Sequence, residues 1–252
     1  MTFHRFVALG DSFTEGVGDA DPGRPNGVRG WADRAADVLA TQADDFGYAN
    51  LAIRGRKLRA VLAEQLEPAL TLEPDLVTIY AGANDILRPA VDIDGLVAAY
   101  DAAVGRLADS GAHLVMFTAF DPGGFPVFGA VRGRFAVYNE LVREVAERHG
   151  ATLVDFWRMR EYRAPGLWAD DRMHMSSVGH QRMAIAVLDA LGVDHDLAAP
   201  ELPPAVSLSK KERRAENVDW VRSHAAPWVK RRLTGTSSGD ALDPRYPTLS
   251  RP

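Results

Sequence analysis

The sequence predicts a doubly wound α/β fold. Short, continuously apolar runs such as "DLVTIYA" (75–81) and "AHLVMFTA" (112–119) read as strands covered on both faces. Between them lie amphipathic segments with helical periodicity, such as "WADRAADVLATQ" (31–42). Strand and helix alternate through residue 191. Right-handed crossovers then place the strands in one parallel sheet between two helix layers.

The first strand spans residues 6–9, where "FVAL" stops at "GDS". A helix follows over 31–42 and a strand over 48–52. Helices over 58–70 and 95–110 flank the 75–81 strand, and the 112–119 strand precedes a helix over 134–149. A strand over 152–156 and a helix over 177–191 close the alternating part. From residue 193 the character changes. "LAAPELPPAV" is a Pro/Ala-rich connector, and residues 209–233 are charged and helical, with a break or kink at Pro227. "GTSSGDALDPRYPTLSRP" is a polar, turn-rich end. The organisation is one cored domain, 1–192, with an extension, 193–252, docked on it. The 209–233 helix sets Val218, Val221, Ala225, Trp228 and Val229 opposite many basic residues. That face also suits an anionic membrane surface or an acidic partner. Pro227 interrupts it and favours docking, and a docked tail that covered the site would limit substrate size.

A net charge of −5 argues against a nucleic-acid partner. The absence of cysteine excludes disulfides, a thiolate nucleophile and cysteine-ligated metals. The N-terminus runs straight into the first strand with no secretory pattern, and no apolar run approaches the ~20 residues of a membrane span. These features give the expectation of a cytoplasmic protein without a transmembrane segment. No HExxH spacing and no Walker loop occur, and "GVGDADPG" lacks the strand–GxGxxG–helix context. Neither a cofactor nor a metal is expected.

Ligands of doubly wound folds sit beyond the carboxyl ends of the strands. Ser12 lies there, with Gly10 permitting a tight turn and Gly16 and Gly18 keeping the next loop open. Such a serine is a nucleophile if a base takes its proton, although Gly-Asp-Ser alone equally suits a helix cap. Three further carboxyl-end loops carry Gly55 in "NLAIRGRKL", Asn84 in "YAGANDI", and Asp171 with His174 in "DRMHMSSVGH". Together they offer the nucleophile, base, orienting acid and oxyanion donors that acyl transfer needs.

"GDSFTEG", the loop glycine Gly55, "GANDI" and "DRMHMSSVGH", in that order, resemble the four sequence blocks of the SGNH hydrolases, also called GDSL esterases/lipases, over most of residues 5–191. The resemblance implies a flavodoxin-like three-layer α/β/α fold with five parallel strands in the order 2-1-3-4-5. It carries the nucleophile onto Ser12, the base onto His174 and its orienter onto Asp171. Oxyanion donors fall on the backbone N–H groups of Ser12 and Gly55 and on the Asn84 amide. The implied activity is hydrolysis of a lipid or sugar ester through an acyl-serine. Acyl transfer by the same acyl-enzyme is the alternative, and a non-catalytic binding protein acting through its basic tail is the rival from another class.

Phe13 stands where the family often has Leu, and Met175 where Pro usually stiffens the loop after the base. Asp170 competes with Asp171 as orienter. His180 competes with His174 but falls within the last helix and reads as structural. Asp11 and Asp85 read as acids bracing their turns. His4, His113, His149, His195 and His224 lack an evident partner and read as surface or packing residues. The loop "FDPGGFPVFGAVRG" offers Phe120, Phe125 and Phe128 either as a pocket wall or as packing beneath the loop, and Trp168 is a further wall candidate.

Overall fold

The apolar runs form the centre of one sheet in the computed structural model, which describes residues 2–88, 90–124, 129–202 and 209–252. β1 (Arg5–Gly10) lies parallel to β2 (Gly47–Asn50) on one side and β3 (Leu76–Tyr80) on the other. β4 (His113–Phe117) and β5 (Thr152–Val154) extend the sheet in parallel beyond β3. All of β3 is buried, as is β1 beyond Arg5. Strands covered on both faces demand such unbroken apolar runs. These five strands take the expected flavodoxin-like order.

A sixth strand was not foreseen. β6 (Tyr246–Ser250) joins the outer edge of β2 antiparallel, within the end that reads as turns. Pro247 cannot donate to a ladder and is tolerated only at an edge. The pairing also shifts register between Tyr48 and Asn50.

α1 (Ser12–Glu15) starts directly after β1. It is followed by α2 (Gly30–Leu39), α3 (Leu58–Thr71), α4 (Ala83–Ile86), α5 (Ile93–Asp109), α6 (Arg132–Arg148) and α7 (Ser177–Leu191). α2 packs on α7, while α5 packs on both α3 and α6. Ser176 caps α7 by accepting the Gly179 N–H, and Gly192 ends it in a left-handed conformation.

Where strands end, backbone groups lose their ladder partners and must find others. Two buried amides supply them. Gln65 accepts the Gly10 N–H at 2.8 Å and donates to the Gly10 carbonyl at 2.9 Å. Asn139 does the same for Ala119 beyond β4, at 2.7 and 2.9 Å. The edge of the sheet that carries the candidate site is thereby fixed without further strand pairing.

The extension is tied to this body. α8 (Lys210–Trp220) opens with a capping box between Ser209 and Glu212. Val221–Ala225 winds as a π-helix into α9 (Ala226–Thr234). Pro227 sits in the first turn of α9, where a missing N–H costs least. The π segment lies just before it. Val218, Val221 and Val229 are 43%, 48% and 45% exposed, so they do not form the expected docking face. Trp220 makes the contact instead, donating from Nε1 to the Asp171 carbonyl at 2.8 Å. Among the described residues no helix is long and apolar enough to cross a membrane.

Arg245 then anchors the return to β6. Its guanidinium meets Asp33 at 2.6 and 2.9 Å, with both side chains fully buried. It also donates to the carbonyls of Glu15, Pro25 and Arg29. The Tyr48 hydroxyl donates to Asp33 Oδ1 at 3.0 Å. Removing one partner of such a pair strands a buried charge. Arg245→Met should therefore cost about 3–5 kcal/mol in urea unfolding, and Asp33→Asn/Arg245→Met should lose less than the two single variants combined.

Candidate active site

Gly10 ends β1 and Ser12 opens α1, with Asp11 between them as the cap. Asp11 Oδ1 accepts the Phe13 N–H at 3.1 Å. The Phe13 ring is held by Tyr80, Phe117 and Trp31 at centroid distances of 4.2, 5.2 and 5.6 Å. Phenylalanine thus serves as the apolar anchor of the turn. Asp11 Oδ2 accepts the Asn84 amide at 2.8 Å, and the same amide donates to the Arg56 carbonyl at 3.2 Å. One carboxylate and one amide therefore join the loops that follow β1, β2 and β3. Burial raises the Asp11 pKa to about 7. The Phe13 N–H, the charge of His174 and the Asn84 amide oppose that rise, and Asp85 adds to it.

His174 and Asp171 share the loop before α7. Asp171 Oδ2 lies 2.5 Å from His174 Nδ1, and Oδ1 accepts the N–H groups of Met173 and His174 at 2.9 and 3.0 Å. Burial opposes ionisation of Asp171, but the hydrogen bond and charge of His174 and the two N–H groups outweigh it. Its pKa falls to about 2. Asp170 is exposed. His180 is wholly buried: Trp31 N–H donates to Nδ1 at 3.2 Å, and Nε2 meets the Val17 carbonyl at 3.1 Å. That pattern fits the neutral ring, and burial lowers its pKa to about 4.

Met175 does not leave the loop slack. It is 3% exposed and forms an antiparallel bridge with Trp168, flanked by the bonds Ala169 N–H to His174 O and Ser176 N–H to Leu167 O. The serine loop presses on this bridge at Gly18. There φ is +102°, and a Cβ would stand 2.1 Å from the Met175 carbonyl oxygen. Gly18 thus permits contact between two loops rather than keeping one open.

Ser12 and His174, 162 positions apart in sequence, line the same two cavities, together with Asn84 and Trp228. The Ser12 hydroxyl makes no hydrogen bond among the described residues. The first cavity, of about 100 Å³, is walled by Phe120, Phe135, Phe156, Trp168 and Leu87. Phe125 and Phe128 lie outside the described residues. The second, of about 340 Å³, reaches Gly55 and is roofed by the extension. Gly55 has φ +77°, and a Cβ there would stand 2.1 Å from Ser237 Oγ, which donates to the Arg54 carbonyl at 3.1 Å. The close approach at Gly55 is made by this chain's own tail.

Asp85 accepts the Leu58 N–H at 2.9 Å and so braces the start of α3. His4, His149 and His195 pair with Asp45, Asp101 and Asp189, and His113 meets the Thr152 hydroxyl, so these four have partners that the sequence did not show, while His224 lines the second cavity. Trp228 and the cations Arg88 and Arg231 were not assigned to the site from sequence. A lone tryptophan in a basic helix was the one available signal. Among the described residues no three His, Asp or Glu side chains cluster as metal ligands would.

The family model for GDSL-like lipases and acylhydrolases matches residues 8–182. Among solved structures, a hydrolase (LAE5) from the metagenome of Lake Arreo, Spain, is 27% identical. The match covers 78% of this chain and 99% of that one, with a TM-score of 0.65. Axe2, an acetylxylan esterase from Geobacillus stearothermophilus, is 23% identical over 77% of this chain and 96% of its own, with a TM-score of 0.62. TesA is 22% identical over 74% and 97%, with a TM-score of 0.61. No curated protein matches the chain.

The folded pKa of Asp171, about 2, lies below its ordinary 3.8. Its stabilising contribution is thus complete above the unfolded pKa and lost as pH falls through about 2. Urea unfolding between about pH 5 and 2 should show the wild type losing about 2 kcal/mol that Asp171→Asn, lacking this titration, does not lose.

Proposed function

Because the chain belongs to the GDSL-like lipase/acylhydrolase family of ester-hydrolysing enzymes, we propose that it is a serine esterase in which Ser12 is the nucleophile, His174 the base and Asp171 its orienter. The observation that carries the reading is the 2.5 Å Asp171–His174 contact beside cavities that Ser12 also lines. With Nδ1–H held by Asp171, His174 Nε2 is the free lone pair. It takes the Ser12 proton as Oγ attacks the ester carbonyl. The tetrahedral oxyanion collapses, the C–O bond breaks, and His174 returns the proton to the departing alcohol. Water, deprotonated by the same imidazole, then attacks the acyl-serine. The acid product leaves and Ser12 regains its hydrogen.

The backbone N–H groups of Ser12 and Gly55 and the Asn84 amide are the donors for the oxyanion. Both Asn84 hydrogens are engaged at rest. The 3.2 Å bond to Arg56 is the longer and is the one exchanged, while Asp11 holds the amide plane at 2.8 Å.

The apolar cavity takes the acyl group. Its volume of about 100 Å³ and its aromatic walls suit a short chain. The acetyl group named for Axe2 agrees in size.

An active-site phosphonate should label Ser12, and Ser12→Ala should lose about 10⁶ in turnover. Equal turnover by wild type and variant would remove Ser12 from the mechanism. Asn84→Ala should lose about 10²–10³ while still taking the label. Trp228→Ala, which widens both cavities, should shift relative kcat/KM toward longer acyl esters by about 10-fold or more across a graded p-nitrophenyl series.

A further inference from the structure

The two cavities that meet at Ser12 differ in chemistry. The acyl side is aromatic. The other is lined by Arg54, Lys57, Arg88, Arg231 and His224, with hydroxyls from Ser223, Thr236 and Ser237. Among the described residues, Asp171 is the only carboxylate on that wall, and it is bound to His174. Arg54 is likewise occupied, meeting Glu15 at 2.6 Å, and Glu15 has no exposed surface. Lys57, Arg88 and Arg231 form no ion pair among the described residues. Arg88 Nε is buried with no hydrogen-bond partner among the described residues.

Lys57 and Arg88 both act on the charge of Asp85, but Asp85 does not line the cleft, so cations outnumber carboxylates around it. Like charges gathered there repel, and a buried donor left unmade carries a desolvation penalty. The arrangement is not a consequence of overall composition, since the chain carries a net charge of −5. An anion placed in the cleft relieves both costs, through charge-assisted bonds of the kind guanidinium groups make to phosphate and carboxylate. Resting on the assignment of Ser12 as nucleophile, we infer that this cleft binds an anionic group, a phosphate or a carboxylate, on the alcohol portion of the ester substrate. The acyl group enters the aromatic cavity, and the scissile carbonyl lies between the two at Ser12. Arg88 comes from the segment after α4, and Arg231 from α9. The extension thus supplies part of the recognition of the alcohol.

The test compares acetyl esters of anionic and neutral alcohols: 1-acetylglycerol 3-phosphate against 1-acetylglycerol, and acetoxyacetate against 2-acetoxyethanol, with p-nitrophenyl acetate as the reporter of the chemistry. At least one anionic ester should exceed its neutral counterpart in kcat/KM by about 10-fold or more, and the phosphate and carboxylate arms identify which anion is favoured. The ratio should shrink as NaCl rises. It should approach one in Arg88→Gln and Arg231→Gln. Inorganic phosphate should compete with the favoured anionic ester in the wild type, a measurement that needs no variant to fold. Equal kcat/KM for anionic and neutral esters, or a ratio indifferent to both salt and substitution, would overturn the proposal. A wild type that neither turns over p-nitrophenyl acetate nor takes a phosphonate on Ser12 would overturn the nucleophile assignment, and this proposal with it.

Discussion

The Asp11 carboxylate is the joint on which the site depends. It is 2% exposed, yet both oxygens are engaged: one caps α1 through the Phe13 N–H, the other orients the Asn84 amide. A buried carboxylate is costly unless its lone pairs are met by donors, so the turn carrying Ser12 and the helix carrying Asn84 have one low-energy relation to each other. Gln65 fixes the same turn from the opposite side by closing both hydrogen bonds of Gly10. The parallel sheet brings these loops to one edge, and the buried polar contacts set their geometry within that edge.

The extension is held by a second joint of the same kind. The Arg245 and Asp33 side chains have no exposed surface and satisfy one another within a ring of carbonyl groups. Beyond that anchor the chain closes the free edge of β2 as β6, which hides a row of backbone groups that would otherwise invite pairing with another chain. The solved relatives are covered over 96–99% of their own lengths but over only 77–78% of this chain in the cases of LAE5 and Axe2. The family model ends at residue 182. The roof over the second cavity comes from residues beyond the family-model match.

The parallel sheet was legible because strands buried on both faces leave unbroken apolar runs, and helices between them leave a different period. β6 was not, because an edge strand with a proline and a register shift has neither signature. The loops of the candidate site were legible from four short blocks, of which Ser12, Gly55, Asn84, Asp171 and His174 line one cavity. Their supports were harder to read. Gln65 and Asn139 look like ordinary polar residues in amphipathic helices, and only the fold shows that they complete strand ends. Gly18 reads as loop freedom, whereas its role is to let one loop touch another. Valines at 218, 221 and 229 read as a stripe that docks, because periodicity shows which residues share a face and not whether that face is covered; all three are exposed. The tail's contact therefore passes to tryptophans 220 and 228.

On the proposed reading, a site with one aromatic side and one cationic side divides the work of recognition. The aromatic cavity measures the acyl group by volume, so its discrimination is limited to the few kcal/mol that a methylene or two can supply. The cationic cleft acts on a group that does not change during reaction. It binds the ground and transition states alike unless it is used to place the carbonyl against Ser12. That placement is the part of its binding energy that raises turnover, and it depends on the tail being fixed to the body, since Arg231 belongs to α9 and Arg88 to the core. On that reading the buried Arg245–Asp33 pair, which ties the end of the tail to the body, helps set how well the cleft converts attraction into alignment.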